Sequence, residues 1–378
     1  MARQRSSLSL LAILALLHLY IGLRLLPAMH IGIAGMALGA LLLALSAALV
    51  RIGLVAPSLR RSRWSEQLSW AGLLAMGLFS SLFVLTVVRD LALLVLALAG
   101  AGGPAATHDS ALAVPLVALL VTGIGFVNAR RVARVVRVEV PIAGLPPALD
   151  GYSIVQISDI HVGPTIKRPY LNAIVDKVNA LKPDAIAVTG DLVDGSVQRL
   201  AMHTAPLARL SAPDGTFFVT GNHEYYSGAE QWIAEVRRLG LQVLMNEHVI
   251  RRRGNASLMI AGVTDYTAQH FNPAHKSDPR QAIAGAPRDL AVKILLAHQP
   301  RSSAAAADAG FDLQLSGHTH GGQFFPWNLF VPLQQPFVAG LNRVRSLWVY
   351  TSRGTGYWGP PKRFGAPSEI TLVTLVPA

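Results

Sequence analysis

The stretch "LQLSGHTHGGQFF", residues 313–325, sets the terms for the rest of the chain. An apolar run of strand-like length ends at Gly317, two histidines follow one residue apart, and Gly321 and Gly322 come next. Imidazole is the commonest metal ligand among side chains. A glycine beside it lets the backbone turn sharply or approach an ion or phosphate closely. The same order, an apolar run and then a polar loop, recurs in "QISDIHVG", "AVTGDLVDG", "FVTGNHEYY" and "LLAHQP". Strand ends on one edge of a sheet are neighbours in space even when far apart in sequence, so five such loops can converge on one site.

Eight runs read as strands: "YSIVQIS", "DAIAVTG", "GTFFVTG", "SLMIAGV", "VKILLAH", "FDLQLSG", "SLWVYTS" and "EITLVTL". Amphipathic stretches such as "PYLNAIVDKVNALK" and "GAEQWIAEVRRLG" lie between several of them. Short, continuously apolar runs suit strands covered by other layers on both faces, which predicts an α/β domain. Ahead of it, "VEVPIAGLPPALDGY" is a Pro/Gly-punctuated approach, and the domains are divided at residues 1–137 and 138–378.

The five loops bring Asp159, His161, Asp191, Asn222, His223, His298, His318 and His320. Carboxylate, imidazole and amide oxygen together suit Mn, Fe or Zn, with Mg as a further option. Eight groups exceed the needs of one ion, whereas two ions sharing a bridging Asp would use seven and leave one histidine. In the D-x-H and H-x-H pairs, residues two apart on extended backbone point to the same side and can share one centre.

The motifs "SDIH", "TGD", "GNHE", "AHQP" and "SGHTHGGQ", in that order and each after a β-run, resemble the calcineurin-like metallophosphoesterase superfamily. The closing "SRGTGYWGPPKRFGAPSEITLVTL" resembles its membrane-associated bacterial subgroup. The resemblance covers roughly residues 150–376 and implies a β-sandwich flanked by helices. It implies that Asp159, His161 and His320 hold one divalent metal and Asn222, His298 and His318 a second, with Asp191 bridging and His223 catalytic. Two cations roughly 3.5–4 Å apart can lower the pKa of a shared water and clamp phosphoryl oxygens, and a free imidazole can donate the leaving group's proton. Loss of the bridging residue should then damage the metal site, whereas loss of His223 should spare metal and slow turnover.

The first third is different in kind. Hydrophobic residues make up 52% of the 378 and mean hydropathy is +0.41, too high for an ordinary soluble protein. Uncharged windows run over 6–23, 25–50, 67–88 and 110–129, each about the length of a bilayer-spanning helix. About four such helices are expected, with the first uncleaved and residues 91–107 too interrupted to form a fifth. Residues 1–137 carry twelve arginines, no lysine and three acids, a net +9 of the chain's +12. The basic character therefore sits at the membrane and gives no nucleic-acid footprint. Arg3, Arg5, Arg51, Arg60, Arg61, Arg63, Arg130, Arg131, Arg134 and Arg137 fall on one side of four spans, against Arg24 and Arg89 on the other. The positive-inside bias makes that side cytoplasmic, so the expected protein is integral to a bacterial inner membrane with a cytoplasmic catalytic domain. The absence of cysteine excludes disulfides and thiolate ligands.

Smaller features are read conservatively. His18 and His30 are expected as neutral imidazoles near helix ends, and His203, His248, His270 and His275 as surface or loop residues. Asp194 is divided between supporting the site and lying solvated in its loop, and "IRRRG", from residue 250, reads as a solvated hairpin turn. Tyr225, Tyr226, Trp358, Lys362 and Arg363 are candidates for a substrate-channel border. A domain tethered at a bilayer points to a membrane or lipid-linked phosphodiester or pyrophosphate. The alternatives are soluble nucleotides or phosphomonoesters, and a non-catalytic transport or scaffold protein that merely binds metal.

Overall fold

The computed structural model describes residues 2–55 and 64–378, which form two compact units. Arg60, Arg61 and Arg63, counted in the charge bias, lie outside the described residues. One unit comprises residues 1–127 together with 359–364, the other residues 128–358 and 365–378. The second therefore begins ahead of the 137/138 division, because the arginine-bearing stretch 134–142 is itself a strand.

The first unit is built from α1 (Ala2–Leu25), α2 (Gly32–Val55), α3 (Ser65–Leu98) and α4 (Pro104–Arg130). Among the described residues, four helices are long and apolar enough to cross a membrane. Residues 91–98 extend α3 rather than forming a span of their own. Large apolar side chains such as Leu16, Leu41, Val95 and Leu120 face outward, which suits a lipid surround. The polar groups turn inward. Arg89 is buried and donates to Asp90, Ser110 Oγ and the Thr107 carbonyl, while Tyr20 and Arg24 reach the same Asp90. His18 sits in the body of α1 rather than at its end, with its ring nitrogens 2.8 Å from Leu14 O and 3.1 Å from Ser46 Oγ. His30, between α1 and α2, stacks on His108.

The second unit holds two six-stranded sheets. In chain order the elements are β1 (Arg134–Ile142), β2 (Ser153–Ile157), α5 (Arg168–Ala180), β3 (Ala185–Thr189), α6 (Val197–Thr204), β4 (Thr216–Val219), α7 (Asn222–Ser227), α8 (Ala229–Arg238) and β5 (Gln242–Val243). There follow β6 (Glu247–Arg253), β7 (Ala256–Gly262), α9 (Pro279–Ile283), β8 (Val292–Leu296), α10 (Ser303–Asp308), β9 (Leu313–Ser316), β10 (Gly340–Val344), β11 (Leu347–Thr351) and β12 (Glu369–Pro377). The strand orders are β1-β12-β2-β3-β4-β5 and β10-β11-β9-β8-β7-β6.

Alternation along each strand divides the core into three layers. Ile154, Phe217, Ile260, Ile294 and Leu315 fill the space between the sheets. Val155, Val188 and Phe218 point the other way, onto Leu171 and Ile174 of α5 and Trp232 of α8. Met259, Leu295 and Val349 cover the outer face of the second sheet with Ala282 and Ala306. Strands β2, β3 and β4 run parallel, as do β7, β8 and β9, so the carboxyl ends of each set share an edge. The "IRRRG" arginines are strand residues of β6, with the turn left to Gly254. Arg253 pairs with Asp184 and lies over the Tyr152 ring.

Candidate metal centre

All five polar loops leave carboxyl ends of the parallel strands. Asp159 and His161 follow β2, Asp191 follows β3, Asn222 and His223 follow β4, His298 follows β8, and His318 and His320 follow β9. The two sheets meet here through direct contacts. The His318 N–H lies 3.0 Å from both Asp159 carboxylate oxygens, and His298 Nδ1 lies 2.7 Å from the Thr189 carbonyl.

Three groups result. Asp159, His161 and His320 form one, with the two Nε2 atoms 3.0 Å apart and Asp159 Oδ1 3.5 Å from His320 Nε2. Asp191, His298 and His318 form another, with Asp191 Oδ2 3.2 Å from His298 Nε2 and His318 Nδ1 at the same distance from that nitrogen. The third joins His161, Asp194 and His223. Asp191 stands among them, its Oδ2 3.9 Å from both His161 Nε2 and His223 Nε2.

His318 and His320 thus belong to different groups, and the reason is local. Neither residue is extended: their φ values are 70° and 51°, and His320 opens a short 3-10 turn. The same-side argument for alternate residues on a strand does not apply to such backbone. Asp159, His161 and Asp191 also take positive φ, between 50° and 55°, which is uncommon for non-glycine residues. Glycine is needed where these bends press together. A Cβ on Gly317 would lie 2.0 Å from Ser158 Oγ and 2.2 Å from Asp159 Oδ2, and one on Gly221 would lie 2.2 Å from Asp191 Oδ1.

The donor set fits cations on two observations. Asn222 Oδ1 is buried without a hydrogen-bond partner, and such atoms call for an explanation. His161 Nδ1 faces Asp194 Oδ1 at 3.1 Å and His298 Nδ1 faces a carbonyl. Each must donate there, which leaves its Nε2 lone pair aimed into the cluster when the ring is neutral.

Burial and charge oppose one another across the site. Burial raises the Asp159 carboxyl. It also acts to raise Asp191, but the His298 and His223 charges prevail and hold that carboxyl well below the usual range. His298 is driven well above its ordinary value by Asp191 despite its burial. His318, buried and then opposed by the His298 charge, falls to about 3 and is neutral. Burial works against a charged His223, yet Asp191 and Asp194 outweigh it and raise the imidazole to about 9.

Two carboxylates complete the arrangement. Asp194 Oδ1 lies 2.6 Å from His223 Nδ1, so it orients both His161 and His223 instead of lying solvated. Glu224 was not singled out in the sequence. It is fully buried and accepts from the backbone N–H of Gly221, Asp191 and Leu192, tying the β3 and β4 loops together. Burial and then Asp191 push its carboxyl up to about 8, against the pull of those N–H groups. Its signal was its place in "GNHE", three residues after Gly221.

Of the channel candidates, Tyr226 and Trp358 stand at His223, with ring centroids 5.2 and 5.7 Å away. Tyr225 is buried. Lys362 and Arg363 are buried too and belong to the helical unit, where Lys362 Nζ donates to Gly77 O, Ser81 Oγ and Thr122 Oγ1. None of His203, His248, His270 and His275 enters a metal-compatible group among the described residues.

A profile described as calcineurin-like phosphoesterase matches residues 152–322. A transmembrane protein with metallophosphoesterase domain from Danio rerio is 40% identical over 272 residues, 69% of this chain and 62% of that protein. An uncharacterised metallophosphoesterase of Campylobacter jejuni is 33% identical over 302 residues, covering 78% of each chain. A solved sulfate thiohydrolase from Thermus thermophilus aligns with a TM-score of 0.39 at 15% identity, over 61% of this chain and 57% of that one.

Proposed function

Since this chain belongs to the calcineurin-like metallophosphoesterase family, we propose that it is a membrane-bound phosphoric ester hydrolase with two divalent metals. In this reading Asp159, His161 and His320 would hold one ion and Asn222, His298 and His318 the other, with Asp191 shared between them. The observation that carries it is Asp191 standing between two groups of imidazoles whose ring nitrogens are turned inward. Mn, Fe or Zn suits this mixture of imidazole, carboxylate and amide oxygen, and Mg is an option. Bound there, the ions would activate water and neutralise charge on the phosphoryl oxygens.

The chain's own residues do the rest. Asp194 accepts from Nδ1 of His223, so a protonated ring directs its remaining N–H from Nε2 toward a departing oxygen. In the metal-free protein the charges of Asp191 and Asp194 raise that ring to about 9, which favours its protonated form near neutral pH. Glu224 fixes the loops carrying Asp191 and Asn222 by holding three N–H groups. Helices suited to a bilayer favour a substrate that is itself in the bilayer, such as a lipid-linked phosphodiester or pyrophosphate.

The test uses the full chain in detergent with Mn and a chromogenic phosphodiester. Asp191→Ala should lose both activity and metal. His223→Ala should retain metal, measured by elemental analysis, and lose turnover by about 10²–10⁴-fold, the range for a general acid. An inactive wild type that still binds two metals would leave the hydrolase reading without support. A substrate screen on lipid extracts then separates lipid-linked from soluble substrates.

A further inference from the structure

Directly after the loop that carries His318 and His320, the chain runs from 321 to 342 without a single Asp, Glu, Lys or Arg. Within that run Phe325, Trp327, Leu329, Phe330 and Leu333 are all exposed, Leu329 at 62% and Leu333 at 79%. Isolated exposed apolar residues need no explanation, but a dense cluster of large ones does. We propose that residues 325–333 form a membrane-contact segment that lies in the headgroup–acyl boundary of a bilayer beside the candidate metal centre.

Three observations favour a lipid surface as the occupant. Among the described residues, four helices are long and apolar enough to cross a bilayer, so a bilayer is at hand. Part of the segment's backbone is satisfied from within: Trp327 N donates to Phe324 O, Leu329 N to Pro326 O, Phe330 N to Trp327 O and Leu333 N to Phe330 O, at 2.9–3.1 Å. A chain entering a medium poor in water gains by bringing its own hydrogen bonds, and these four donors do so. Composition and charge fit as well. Tryptophan prefers the membrane interface, and exposed Arg301, hydrogen-bonded to the Gln334 carbonyl at the segment's far end, offers a cation to phosphate headgroups.

The consequence for the site is positional. Gln323, three residues beyond His320, exchanges two 2.8 Å hydrogen bonds with the backbone of Trp358, the residue whose ring flanks His223. The apolar segment therefore starts at the rim of the candidate centre. A segment seated in the boundary would hold that rim at the depth of lipid headgroups.

The chain has no cysteine, so single introduced thiols can be labelled in the full-length protein without further changes. Leu329→Cys and Leu333→Cys, each carrying a nitroxide, are compared with Gln281→Cys on α9, an exposed position of the same unit. The protein is reconstituted into phosphatidylcholine vesicles with a minor share of phosphatidylglycerol. Labels at 329 and 333 should gain accessibility to oxygen and lose accessibility to a water-soluble nickel chelate, relative to the control. Water-like values at both positions would overturn the proposal. So would spin–spin broadening that disappears on dilution with unlabelled chain, because a second copy would then be the occupant. The inference goes beyond the hydrolytic reading, and its readout is label depth, so an inactive protein tests it equally well.

Discussion

Asn222 offers a buried carbonyl oxygen to a site where no hydrogen-bond donor meets it. A buried acceptor left in that condition costs about 1–3 kcal/mol. Asn222→Ala should therefore leave the metal-free protein as stable as the wild type or more so, while the bound metal falls from two ions to one. Thermal unfolding in chelator and elemental analysis after reloading check the two halves of this expectation. The residues that gather at the site were readable because a polar residue straight after an apolar run has few structural reasons to be there. The backbone at those positions was not readable. Positive φ at His318 and His320 is imposed by packing between two sheets, and nothing in "GHTHGG" distinguishes it from an extended pair. Asp194 was left undecided and Glu224 was missed for a related reason. Their roles rest on what they touch across more than one loop, His161 and His223 for the first and three backbone N–H groups for the second.

At the scale of elements, the eight β-like runs are all strands, and the four strands missed are β1, β5, β6 and β10. Every one of these is a sheet edge. Interior strands covered on both faces need continuous apolar sequence, whereas the edges β1, β6 and β10 carry charge that blunts further pairing and β5 is only two residues long, so only the interior strands announce themselves. Strand β6 shows what such a charge does besides. Arg253 reaches Asp184, which also accepts from Ser153 N and Oγ at the start of β2, so one carboxylate ties the two sheets. Burial acts to raise the Asp184 carboxyl, but Arg253 and Ser153 hold it below its ordinary value. A carboxylate depressed on folding stabilises at neutral pH, and the contribution disappears as pH falls through the depressed value. Asp184→Asn should thus be less stable than wild type at pH 7, with the gap closing in acid below about pH 4, the ordinary carboxyl pKa. Denaturant titrations of both proteins across that range measure the gap.

Over the whole molecule, the four apolar helices among the described residues would bring the N-terminus and the two-sheet unit to one face of the bilayer if each of them spans it. The arginine bias leads us to expect that face to be cytoplasmic. Protease added to sealed cells should then spare the two-sheet unit, and protease added to inverted vesicles should cut it; digestion from outside would reverse the orientation. The division into a helical part and a two-sheet part was legible from hydropathy, since a bilayer and a sandwich core select different lengths of apolar run. The six residues 359–364 were not, because a short polar-apolar mixture carries no period. These residues are flanked on both sides by the two-sheet unit yet packed among the helices, with Lys362 bound to two of them. The chain consequently passes from one unit to the other three times, and trimming the protein at a single point after α4 would strand an ammonium group and two prolines outside their surroundings. A soluble version for crystallisation or screening would need that hexapeptide replaced as well as the helices removed.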